Sequence, residues 1–172
     1  MRVLIAMPVV ACVLLTACES RPAAPTELSA VSARASDSDK PNFNLEVILR
    51  APDGADGFGH VKFRQDNDPA EVIDLGVWVR DLAPNSHYKL QRAVDPNNVV
   101  DGDCSSTTWL TLGKGLTPQD IITDDRGTGR EDLFRALTTP RGTAFDIHFR
   151  VIDAATPPNV VLTSECYQYF IR

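Results

Sequence analysis

The chain has 172 residues, 43% of them hydrophobic, with 17 basic against 23 acidic side chains and a formal net charge of −6. That length is enough for one domain with a core of its own. The acidic balance, without a basic patch, argues against nucleic acid as a partner and against electrostatic attachment to anionic lipid headgroups.

In chain order, the first feature is Arg2 followed by the apolar run Val3 to Leu15, closed by small residues. A basic start, a short apolar stretch and small residues at its end make a secretory signal. A bilayer span needs about 20 apolar residues, more than this run supplies. Leu15-Thr16-Ala17-Cys18 resembles the lipobox of bacterial lipoproteins. That resemblance implies a signal peptide over 1–17, cleavage before Cys18, a diacylglyceryl thioether on Cys18 and acylation of the new amino terminus, palmitate being the typical chain. Without residues 1–17 the chain keeps 16 basic residues against 23 acidic ones, a side-chain charge of −7. Its membrane contact would then come from the acyl chains, at ~0.8 kcal/mol per buried methylene. The expected location is an exported one, lipid-anchored to a bacterial membrane on its periplasmic or extracellular face.

The four cysteines have separate fates on this reading. Cys12 leaves with the signal and Cys18 carries lipid. Cys104 and Cys166 remain in an oxidising setting, where a disulfide is the default. A two-thiolate metal site is the alternative, and it needs further ligands. The bridge would close a loop of roughly 60 residues, worth ~4 kcal/mol in the chain-entropy model.

Glu19 to Lys40 is rich in Ala, Ser, Pro, Asp and Glu and has no apolar periodicity. Residues 18–40 are therefore expected to be a lipidated Cys and a disordered tether, spanning ~25 Å r.m.s. as a flexible coil. From Pro41 to Arg172 the pattern changes to a period of two. Phe43, Leu45, Val47 and Leu49 alternate with polar neighbours, as do Val61 and Phe63, Ile73, Leu75, Val77 and Val79, Tyr88 and Leu90, and Phe145, Ile147, Phe149 and Val151. Such alternation marks strands with one buried face. Fainter strands are expected at Thr107–Leu112, Asp120–Thr123 and Arg130–Leu137, and a long last strand at Val160–Ile171 with a bulge near Ser164. Turn chemistry separates them: Pro52-Asp53-Gly54, Asp66-Asn67-Asp68-Pro69, Ala83-Pro84-Asn85, Asp95-Pro96-Asn97-Asn98, Asp125-Arg126-Gly127, Pro140-Arg141-Gly142 and Pro157-Pro158-Asn159. Helical periodicity of useful length is missing. The expected fold is all-β, an antiparallel Greek-key β-sandwich of immunoglobulin-like or superoxide-dismutase-like strand order with one disulfide.

Several local features, in order, resemble the copper/zinc superoxide dismutases. Val79-Arg80-Asp81-Leu82-Ala83-Pro84-Asn85-Ser86-His87 is similar to that family's Gly-Leu-x-Pro-Gly-x-His strand and turn. Gly102-Asp103-Cys104 stands where the first half of its disulfide stands, and Cys166 where the second does. Thr123-Asp124-Asp125-Arg126-Gly127 resembles its Thr-Ala-Asp-x-x-Gly turn, and Gly142 to His148 keeps its spacing from Gly to a copper-ligand His. The resemblance implies the sandwich topology. It does not carry the metal chemistry, because Leu90 and Arg92 stand at two ligand positions, and Ser105-Ser106-Thr107-Thr108-Trp109 stands where zinc-ligating His residues belong. Three His in the whole chain are too few for a His-rich copper/zinc pair, and a guanidinium repels a neighbouring cation.

The remaining constellations favour binding over catalysis. Gly-x-Ser-x-Gly and His-Glu-x-x-His do not occur, and no carboxylate pair is singled out for glycoside hydrolysis. Paired carboxylates at Asp53/Asp56, Asp66/Asp68, Asp101/Asp103 and Asp124/Asp125 read as turn formers. Asp95 to Asp103, with Asn97 and Asn98, is the best of them for a weak calcium site, and His148, Asp101 and Asp103 are the metal candidates. Trp78 falls out of phase with the core, and with Trp109, Tyr167 and Tyr169 it is expected to form an exposed binding face. The function expected is a lipid-anchored, non-catalytic binding or interaction module of the cell envelope, without a cofactor. Its expected partners are the membrane, through the lipid, and an envelope protein or carbohydrate. The rival expectation is a metal-binding or redox protein of dismutase-like fold.

Overall fold

The computed structural model describes residues 42–66 and 72–172. The Leu15-Thr16-Ala17-Cys18 box, Cys12, the tether and Asp68 lie outside them. Among the described residues are twelve strands and one short 3₁₀ turn, Pro52–Gly54. The strands are β1 (Asn42–Arg50), β2 (Phe58–Asp66), β3 (Val72–Arg80), β4 (His87–Val94), β5 (Leu110–Thr111), β6 (Gly113–Lys114), β7 (Thr117–Pro118), β8 (Ile121–Ile122), β9 (Gly129–Ala136), β10 (Ala144–Asp153), β11 (Val160–Ser164) and β12 (Tyr167–Phe170).

The long strands follow the alternation. In β3, Ile73, Leu75, Val77 and Val79 are buried while their neighbours are partly or fully exposed. The same spacing buries Leu45, Val47 and Leu49 on β1 and Phe145, Ile147, Phe149 and Val151 on β10. Each such side chain contributes about 1.5–3 kcal/mol on leaving water. All of these residues belong to one hydrophobic cluster between two sheets.

Hydrogen bonding runs β5-β4-β10-β11-β1-β2-β3-β9-β6-β7, with β12 also on β10 and β8 also on β4. One sheet is β1-β2-β3-β9 and the other is β4-β10-β11, and the two join narrowly at Leu49↔Ser164 and Arg50↔Thr163. On the far side the chain itself nearly closes the barrel. Leu110–Thr111 pairs with β4, Leu112 N–H donates to Leu90 O at 2.9 Å, and two residues on Lys114 pairs with Phe134 of β9. Gly113 sits at this change of sheet, where a Cβ would meet Thr117 O at 1.9 Å, so only glycine passes.

The connections β3–β4, β4–β9 and β9–β10 each cross from one sheet to the other, as a Greek-key sandwich requires. In an immunoglobulin sandwich the second strand pairs with the first and the fifth. Here β2 lies between β1 and β3, so the immunoglobulin order is not the one adopted. The last strand was expected to run on with a bulge near Ser164, and is interrupted there instead: β11 ends at Ser164, whose Oγ accepts from Phe149 N at 2.9 Å and donates to Glu165 O at 2.7 Å, and β12 resumes at Tyr167.

Candidate functional site

The four aromatic residues expected on one face are not on one face. Trp78 lies on the outer side of β3, edge-on to Phe58 at 6.0 Å, with the Arg80 guanidinium 4.9 Å from the Phe58 ring. Trp109 lies over the other sheet, 4.6 Å from the His148 ring and capped by the Arg150 guanidinium at 4.0 Å. Tyr167 is half-buried at the junction of the sheets, its hydroxyl accepting from Ile48 N at 3.1 Å. Tyr169 belongs to the core. It is 1% exposed, edge-on to Phe63 and Phe145, and its hydroxyl donates to Gln65 Oε1 at 2.5 Å. The break at Ser164 resets the phase of β12, so the inward parity of Tyr169 could not be extrapolated from β11.

Cys104 and Cys166 form the disulfide, with Cα atoms 5.3 Å apart and a sequence separation of 62. It pins the long loop after β4 to the break between β11 and β12. Inside that loop the metal candidates have structural roles. Asp95, buried, accepts from Ser105 N at 2.9 Å, Ser106 N at 2.7 Å and Ser105 Oγ at 3.1 Å, and the Ser105 amide chiefly holds its carboxyl below the usual range. His148 Nε2 donates to Ser106 O at 3.0 Å, and Asp101 Oδ1 accepts from Asp103 N at 3.0 Å across a turn. Asp146 is fully buried. Its Oδ2 accepts from Gly102 N at 2.7 Å, its Oδ1 has no hydrogen-bond partner among the described residues, and burial, with the Asp101 carboxyl opposing it, pushes its pKa up.

The three histidines are also dispersed: His60 stands near Glu46 on β2, His87 Nδ1 is 3.0 Å from Asp120, and His148 is on β10. Among the described residues no three His, Cys, Asp or Glu side chains converge as a metal site. Leu90 is in the core and Arg92 presents a cation. The donor set therefore does not fit copper or zinc at the positions the dismutase resemblance indicates.

The two turn motifs of that resemblance do meet. The β3–β4 crossover and the 123–127 turn close one end of the sandwich. Thr123 Oγ1 donates to Ala83 O at 2.7 Å and accepts from Ser86 N at 2.9 Å. Asn85 N donates to Asp124 O at 3.0 Å, Leu82 N to Gly127 O at 3.2 Å, and Ala83 N to Tyr88 Oη at 3.1 Å. The Asp124 carboxylate accepts from Thr128 N and Arg126 N, both at 2.9 Å, and these amides hold its pKa down.

The opposite end is different, and sequence reasoning missed it. Arg92 follows Tyr88 and Leu90 at the inward spacing on β4, and Arg135 follows Leu133 at the inward spacing on β9. The two guanidiniums enter the inter-sheet space from opposite sheets. Neither makes an ion pair or hydrogen bond among the described residues. Burial, and then Arg135, lowers the pKa of Arg92. Between them opens a pocket of about 100 Å³, with Phe63, Ile73, Leu75, Phe145 and Phe149 as its floor and Asn97, Thr138 and Thr139 at its rim. The available signal was the continuation of the Tyr88–Leu90 phase to Arg92. No family model matches the chain, and no curated protein or solved structure matches it significantly.

Proposed function

We propose that this protein is a lipid-anchored binding module of the bacterial cell envelope, held to the membrane through Cys18 and the tether of residues 19–40, and that it takes an anionic ligand at the arginine end of the sandwich. The observation that carries the reading is the pair of inward guanidiniums of Arg92 and Arg135, which have no partner among the described residues. Two like charges brought together away from bulk water cost free energy unless an anion joins them. Arginine presents a planar fork of donors that matches carboxylate or phosphate oxygens. The groups with acid–base or ligating chemistry nearby, Asp95, Asp146 and His148, are instead engaged in holding the disulfide loop, which supports binding over catalysis.

Two measurements test it. In a bacterium expressing the full chain, labelled palmitate should enter the protein and the protein should sediment with membranes, and Cys18→Ser should lose both. In detergent solution, phosphate or acetate should raise the melting temperature of the full chain, since a ligand of the folded state alone stabilises it. Equal melting with either anion and with chloride at matched ionic strength would remove the anion site.

A further inference from the structure

We infer that the ligand is a carboxylate carrying one short apolar chain, its head between Arg92 and Arg135 and its chain in the pocket between the sheets. The inference rests on the anion reading just proposed and deepens it. An anion alone would be served by two arginines on a polar surface. Here the guanidiniums stand over core side chains: Phe63 and Phe149 lie edge-on at 6.4 Å, Phe63 and Tyr169 at 4.8 Å, and Phe145 and Tyr169 at 5.4 Å, forming an apolar bed beneath the charges. A pocket of about 100 Å³ is smaller than the ~150 Å³ apolar cavity that holds benzene, so it suits a chain of about four carbons rather than a ring or a long acyl tail. The rim completes the match. Asn97, Thr138 and Thr139 line the same pocket and supply neutral hydrogen-bonding groups around the head. A carboxylate accepts from two guanidiniums at once, one on each oxygen or forked, without the second charge that a phosphate would bring to so apolar a place. Ligand sites of this kind, apolar with a few convergent polar groups, take their affinity from the apolar part and their orientation from the charged one.

The test is calorimetric titration of the full chain in detergent with pentanoate, acetate and 1-pentanol. Pentanoate should bind at least tenfold tighter than acetate, because three more buried carbons add their transfer energy, and at least tenfold tighter than the neutral alcohol. Arg92→Met and Arg135→Met should each weaken pentanoate at least tenfold while melting no lower than the parent. That pairing separates a ligand role from a structural one, since a structural arginine would lower the melting temperature on removal. Pentanoate binding no tighter than acetate, with both lost in the arginine variants, overturns the inference and leaves the anion site standing. Binding of none of the three probes overturns both.

Discussion

The two ends of this sandwich are built from the same strands and finished in opposite ways. Where β3 passes to β4, the crossover lies against the 123–127 turn, and the buried hydroxyls of Thr123 and Tyr88 and the carboxylate of Asp124 all find partners. Where β4 and β9 leave the sheets, Arg92 and Arg135 turn inward over the core with no partner among the described residues. The chain resolves its polar groups with hydrogen bonds at the first end and leaves these two guanidiniums open at the second. A buried polar group without a partner costs about 1–3 kcal/mol, and more when charged. An end finished in that way is stabilised by whatever supplies the missing partner.

The largest effect should come from the disulfide, which holds the loop carrying Asn97 at the arginine end. Cys104→Ser removes a crosslink across a separation of 62 residues, worth ~4 kcal/mol in the chain-entropy model, and should lower the melting temperature by about 10 °C or more. In hydrogen exchange the Ser105 and Ser106 amides should lose protection before the Ser86 and Asn85 amides of the sealed end. Equal loss at both ends would mean that they do not act independently.

Next is Gly127→Val. Gly127 has φ +73°, and a Cβ there would meet Leu82 O at 2.1 Å. Strain together with the lost close approach should cost about 3 kcal/mol or more, read as a fall in urea midpoint. A neutral result would show that the sealed end can open without penalty.

The smallest effect is at Asp146, whose buried Oδ1 lacks a partner among the described residues. Its pKa is raised in the folded state, chiefly by burial. The folded chain therefore holds this proton more tightly than the unfolded chain does. The stability it contributes is complete below the unfolded pKa of about 4 and is lost as pH rises through the folded value. Asp146→Asn keeps the neutral form at every pH. It should gain about 1 kcal/mol at pH 7, with the gap closing below about pH 4, as paired melts across pH would show. Asp124 has the opposite sign. Its depressed pKa stabilises the fold above about pH 4, and that contribution is lost on acidification.

Much of the fold was legible because period-two burial is a local property. Leu45 to Leu49, Ile73 to Val79 and Phe145 to Val151 face inward wherever the strands are placed, since a one-residue slip would expose the whole set. The disulfide was legible from composition once Cys12 and Cys18 were set aside, and an irregularity near Ser164 from the length of the run. The β6–β7 hairpin was not, because two-residue strands carry no period. Nor was the position of Tyr169, because its phase is reset at the break.

By itself, the sequence determined which residues could be strands, which faces of them are apolar, and where turns must fall. Only the tertiary structure decided that β2 stays between β1 and β3, that the 79–87 and 123–127 segments seal one end, and that Arg92 and Arg135 line one pocket at the other. Strand propensity and alternation act between residues one or two apart. The pairing of β4 with β10, and the approach of β9 across the sandwich, depend instead on how far-separated segments fill a common core, a choice that no local pattern encodes.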